Sequence, residues 1–164
     1  MNKDLKIAMG NNLLNIRVGI ILRKGNEVVL EISKIGANTA VPGGRVRINE
    51  HSFNAILREI NEEMNLDLDK SKIKRVDTFE NFFEYDDTKF HEIFFLYEYD
   101  LNEEEYNYIK SIGNNRDNEN GNYTANRTAT TRTTTTGTGT GTFLGMTSTT
   151  WTWVVLAGAA VAIV

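Results

Sequence analysis

"AVPGGRVRINEHSFNAILREINEEMNLDL", residues 40–68, is the stretch that decides the fold. The chain's one proline, Pro42, stands directly before Gly43 and Gly44. From Ser52 to Met64, Phe53, Ile56, Leu57, Ile60 and Met64 recur at helical spacing, which predicts a helix with one apolar face. Glu59, Glu62 and Glu63 fall at i, i+3 and i+4 and share a neighbouring face. Like charges at that spacing repel by about 0.2–0.5 kcal/mol per pair. A glutamate cluster is most often a solvated acidic face. It also suits a hard cation, which takes oxygen ligands where carboxylates meet phosphates. The helix alone leaves both readings open.

Upstream, Leu14, Ile16, Val18, Ile20 and Leu22 alternate with Asn15, Arg17 and Arg23, the period of a strand. "RKGNE" (23–27) reads as a turn and "VVLEI" (28–32) as a strand pairing back in a hairpin, followed by a loop to Pro42. Downstream, residues 72–85 and 90–101 are strand candidates joined by the turn "DDTK", and 102–112 is a short helix. At residue 113 the composition changes to Asn, then Thr and Gly, a tract with too little apolar surface to offset its ordering entropy. The chain ends in "WTWVVLAGAAVAIV" (151–164), shorter than the ~20 residues a helical span requires. The expected organisation is a domain over 1–113, a low-complexity, disordered linker over 114–142 and an apolar tail over 143–164.

A chain of 164 residues is one domain with a tail. The net charge of −4 argues against a general nucleic-acid binder. The absence of cysteine excludes disulfides, thiol catalysis and zinc–thiolate sites. Two histidines are too few for a histidine-rich metal centre. The N-terminus has no apolar core of a signal peptide.

The spacing of the whole stretch is more specific than the helix. Gly44, Glu50, Arg58, Glu59, Ile60, Glu62, Glu63 and Leu66 stand at the positions of the pattern G-x5-E-x7-R-E-U-x-E-E-x-G-U, with U a bulky aliphatic. This resembles the Nudix box of the Nudix hydrolases. Asn65 departs, standing where the family has glycine. It follows the helix at a position expected to be left-handed, where Asn is the next most tolerant residue. "VPGGRV" and the segment 80–99 extend the resemblance over roughly residues 14–110.

The resemblance implies an α/β/α sandwich on a mixed sheet. It implies Glu59, Glu62 and Glu63 as ligands of Mg2+ or Mn2+, joined by the backbone carbonyl of Gly43. Arg58 would orient a glutamate of the row, and Glu50 would pair with Arg58. Glu59 is the first candidate for general base, with Glu92 and Glu80 behind it. Arg45 is a phosphate-binding candidate, Glu92 a substrate-binding one, and Arg47 reads equally as a solvated loop residue. His51 is expected at the helix start or surface and His91 on a strand surface. Most aromatics are expected in packing, with one or two free to stack on a nucleobase. The family's usual closing strand and helix have no counterpart after residue 112.

The implied activity is Mg2+-dependent cleavage of the diphosphate linkage in a nucleoside diphosphate joined to another group. The alternative is a Nudix-like nucleotide-binding module without turnover. A third reading, a stalk anchored by its tail, rests on residues 123–164 alone. The expected partner is a small nucleotide, with no nucleic acid; a homodimer and a membrane contact through the tail stay open. The expected location is the cytoplasm, with membrane association through the tail as alternative.

Overall fold

The computed structural model describes residues 3–32 and 39–113, together with the backbone of 122–124, 138–143, 146–156 and 159–162. In chain order, strand β1 (Lys6–Met9) turns into the long strand β2 (Asn12–Lys24). Short strands β3 (Glu27–Val28), β4 (Leu30–Ile32), β5 (Thr39–Ala40) and β6 (Gly43–Arg45) precede helix α1 (Ser52–Met64). A 3-10 turn (Lys70–Lys72) leads to the hairpin β7 (Lys74–Tyr85) and β8 (Thr88–Asp100), then helix α2 (Glu103–Gly113).

Six strands among the described residues make a mixed sheet in the order β1-β2-β8-β7, with β3 and β6 also pairing β2. The long β2 runs parallel to β8 along one edge. Along its other edge it takes β1, β6 and β3 in turn, all antiparallel. The β7–β8 turn places Asp86 and Asp87 at φ 49° and 57°, a two-residue left-handed turn that aspartate tolerates better than most residues.

The alternation of β2 sorts its side chains between two faces. Val18, Ile20 and Leu22 pack with Ala55, Ile56, Ile60 and Met64 of α1 and with Tyr106 and Ile109 of α2. Ile56, Ile60 and Ile109 are completely buried, and truncating such a side chain to alanine costs about 2–5 kcal/mol. Ile21, Val28, Val41, Phe94 and Leu96 form a smaller cluster on the opposite face. Both described helices lie against the first face, so the layer that would complete a sandwich on the second is not among the described residues.

The expected helix over 52–64 is present, and Asn65 ends it in the left-handed region, φ 51° and ψ 39°, its N–H donating to Asn61 O. The expected hairpin strand over 28–32 is corrected. Glu27 and Val28 pair with β2 and the Val29 N–H still donates to Leu22 O, while Glu31 and Ile32 turn away to pair with β5. Asn15, one of the polar residues in the alternation of β2, is 4% exposed. The reason is its register partner Glu92, which needs a hydrogen-bond donor inside the sheet.

Most of the linker expected over 114–142 lies outside the described residues. Across the linker and tail the described backbone is strand: β9 (Asn122–Thr124) pairs β4, and β10 (Thr138–Phe143), β11 (Met146–Leu156) and β12 (Ala159–Ala162) make an antiparallel sheet. No helix among the described residues is long and apolar enough to cross a membrane.

Candidate active site on the glutamate helix

The site forms where β6 delivers the glycine pair to the side of α1. Gly43 pairs with Gly19 of β2 at φ +152°, and a Cβ there would run into the carbonyl oxygen of Val18. Any side chain would push β6 off the sheet. At Gly44 a Cβ would occupy the place of the Glu59 carboxylate. The second glycine is therefore the seat of the first glutamate of the row.

Arg58 organises the rest. Its Nε and Nη2 donate to the two oxygens of Glu50 at 2.8 and 2.9 Å. Nη2 also reaches Arg45 O at 2.9 Å, while Nη1 donates to Glu59 Oε1 at 2.7 Å and Glu62 Oε2 at 3.1 Å. The fork geometry of guanidinium suits this branching, and lysine has no equivalent. The Glu50 carboxylate is held below its ordinary pKa by Arg58, helped by the Arg47 N–H at 2.8 Å. The Glu50–Arg58 pair was expected, and the loop before α1 is tied to the helix by it. Arg47 reaches Glu62 Oε2 at 3.2 Å.

Glu63 differs from its neighbours. Its Oε2 is buried with no hydrogen-bond partner. Burial pushes its carboxyl up to about 8, reinforced by the charges of Glu31 and Glu59 and opposed by Arg17. Glu31 on β4 is likewise raised by burial, with Arg17 opposing and Glu59 adding to the shift. Sequence reading missed Glu31 and Arg17. The alternation of β2 marked Arg17 as polar, but nothing local tells that its strand neighbours carry it to the acidic helix.

Glu92 is not a solvent-facing group. It is completely buried on β8, where Asn15 Nδ2 donates to Oε2 at 3.0 Å and Asn81 Nδ2 to Oε1 at 3.1 Å. Burial raises its proton affinity against the opposing charge of Arg17 and those two amides. Glu80, a weaker general-base candidate, is exposed and takes a 2.7 Å contact with His91 Nε2. Its partner across the hairpin is Ile93, so it alternates away from Glu92. His51 is exposed at the start of α1 and its side chain caps nothing. Arg45 donates from Nε to Asn15 Oδ1 at 3.3 Å.

At the far end of β2 and β8 lies a cleft of about 670 Å3 lined by Met9, Leu14, Phe82, Phe83, Phe90 and His91 among others. Phe83 stacks on Phe90 with ring centroids 4.7 Å apart, and Phe82, half exposed, tilts against His91. By contrast, Phe94 is buried in the second-face cluster.

An α/β fold with a mixed sheet, a glycine turn seating a glutamate and an arginine-organised acidic helix defines the class. The chain belongs to the NUDIX domain family, which matches residues 13–118, well over half its length. Among solved structures it is similar to a MutT protein from Bacillus halodurans, at 15% identity, covering 53% of this chain and 56% of that one with a TM-score of 0.46. A MutT/nudix family protein from Enterococcus faecalis is 21% identical over 62% of this chain and 40% of that one, TM-score 0.46. An Ap4A hydrolase from C. elegans is 18% identical over 54% and 70%, TM-score 0.41. The chain spans about half the length of the first two. No curated protein matches it.

Proposed function

We propose that the chain is a divalent-cation-dependent pyrophosphohydrolase that cleaves the diphosphate linkage of a nucleoside diphosphate joined to another group. The observation that carries this reading is the unpartnered, buried Oε2 of Glu63 beside Glu59 and Glu62. A buried carboxylate oxygen without a donor is costly unless something cationic completes it. An all-oxygen set of this kind suits Mg2+ or Mn2+. Glu59, Glu62, Glu63 and the carbonyl of Gly43 are the groups that would hold the ion. When bound, the cation would polarise phosphate oxygens and acidify the attacking water.

The chain's own residues do the rest. Arg58 fixes the Glu59 carboxylate through Oε1 and holds Glu50 and the Arg45 carbonyl in one frame. Glu59 takes up a proton of the attacking water as general base. Arg45 binds phosphate through charge-assisted hydrogen bonds. The test is phosphate release from ADP-ribose, dinucleoside polyphosphates, nucleoside triphosphates and nucleotide sugars with Mg2+ or Mn2+. Cleavage of at least one of them, abolished by chelation, is the expected result.

One observation favours a second reading, a nucleotide-binding module. Among the described residues no three His, Cys, Asp or Glu side chains already stand grouped to hold a metal ion. Arg58 and Arg47 occupy Glu59 and Glu62 instead. Measurable nucleotide binding with no turnover across the panel would establish the module and end the hydrolase reading.

A further inference from the structure

Strand β7 lies at the edge of the mixed sheet, and among the described residues it pairs with β8 alone. On the opposite side the outermost strand, β1, is four residues long; β7 is twelve. A long open edge presents a row of unpaired N–H and C=O groups, a template to which another strand can add. Sheets blunt such an edge with proline, with short length or with a bulge. β7 has no proline, and its one interruption is the bulge at Val76. Val76, Phe82 and Tyr85 on this strand are 43%, 53% and 61% exposed, half of the large hydrophobic side chains left in solvent among the described residues. The tail strand β11 approaches β7 but does not pair with it, and those three side chains stay exposed beside it.

The charge along the strand selects what can add to it. Lys72 and Lys74 stand at its start, while Glu84, Asp86 and Asp87 stand at its end and in the turn beyond, all of them exposed. A parallel copy of the same strand would set like charge against like. An antiparallel copy reverses the order. With a two-fold axis at Phe79, Lys74 faces Glu84 of the second copy, Lys72 faces Asp86 and Val76 faces Phe82. A two-fold axis makes one patch serve both subunits, so each of these pairs occurs twice. Opposite charges facing each other across an antiparallel pair stabilise it, and like charges destabilise it. The 4.0 Å contact of Lys74 with Glu98 leaves the lysine side chain 68% exposed and able to reach across.

We propose that β7 is a self-association edge, on which two copies of this chain pair their β7 strands antiparallel about a two-fold axis and join their sheets into one. The dimer uses no residue of the glutamate row, so it is independent of the hydrolase reading.

The experiment is sedimentation equilibrium of the full chain over a range of concentrations, with hydrogen exchange of the β7 amides alongside. A reversible monomer–dimer equilibrium is expected, with β7 amides exchanging more slowly as concentration rises. Glu84→Lys and Lys74→Glu are each expected to weaken the dimer about tenfold, because two attractive pairs become two repulsive ones. The double variant Lys74→Glu/Glu84→Lys is expected to return to within about threefold of wild type. Lys74 and Glu84 lie at opposite ends of one strand, so only pairing between copies produces that rescue. Glu104→Lys makes the same charge change on the exposed side of α2 and is expected to leave the dimer unchanged. A chain that stays monomeric up to about 0.1 mM overturns the proposal. So does a dimer indifferent to Glu84→Lys, or a double variant no tighter than the single ones. Protected β7 amides in a monomer would make the chain's own tail the occupant of the edge and overturn it as well.

Discussion

The two described α-helices obey opposite rules. Helix α2 is built as an isolated helix would want to be. Asn102 Oδ1 accepts from the Glu105 N–H at 2.9 Å while Glu105 Oε2 accepts from the Asn102 N–H at 2.8 Å, a reciprocal capping box. Its first turn carries Glu103, Glu104 and Glu105 and its last turn Lys110, which complements the helix dipole. Helix α1 has none of this. Its cap position is His51 without a side-chain bond, its first turn has no acid and its last turn no base. Three glutamates crowd its C-terminal half, where the dipole is already negative. What holds α1 is tertiary: the buried face of Ala55, Ile56, Ile60 and Met64, and its own Arg58, which ties it to Glu50 and the Arg45 carbonyl. Charge placed against local preference and retained by packing is the mark of a site.

This contrast can be broken in several ways. Glu63→Gln should have the largest effect, on turnover and not on folding. Hydrolysis of the best substrate is expected to fall about 10²–10³-fold, with thermal stability unchanged or raised, since burial already pushes the Glu63 carboxyl up to about 8 and the amide fills its place without a buried charge. Near-wild-type turnover at low Mg2+ would remove Glu63 from the ligand set. Arg58→Ala should act on stability as well. Glu50 and Glu59, side chains only 16% and 14% exposed, lose their shared cation, a cost of about 3 kcal/mol. Urea denaturation reads it, and a loss below ~1 kcal/mol would show that the loop holds α1 without the arginine.

Smaller effects belong to the helix ends. Asn102→Ala should cost about 1 kcal/mol of stability without touching catalysis, because it removes only the α2 cap. A drop in turnover beyond that of a general destabilisation would mean α2 reaches the site. Smallest is Asn65→Gly, expected to be neutral or stabilising by a few tenths of a kcal/mol, since glycine carries no penalty at φ 51°. Asn65→Val at the same position should lose roughly 1 kcal/mol or more. Equal melting temperatures for the Gly and Val variants would contradict the left-handed helix end.

What the sequence by itself determined was local. The period of 52–64 set α1 and its buried stripe, the spacing from Gly44 to Leu66 marked the acidic row, Asn65 announced a left-handed helix end and "DDTK" a turn. These follow from contacts within a few residues, which a sequence displays directly. Tertiary structure alone decided how each charge is used. Arg58 takes Glu59 and Glu62 but leaves Glu63 with a bare oxygen. The parallel register of β2 and β8 turns Asn15 inward onto a buried Glu92, and the β2–β6 register sets Arg17 against Arg45. Residues 15 and 92 meet only because two strands far apart in the chain pair at one register, and strand register is fixed by the whole sheet, not by either strand.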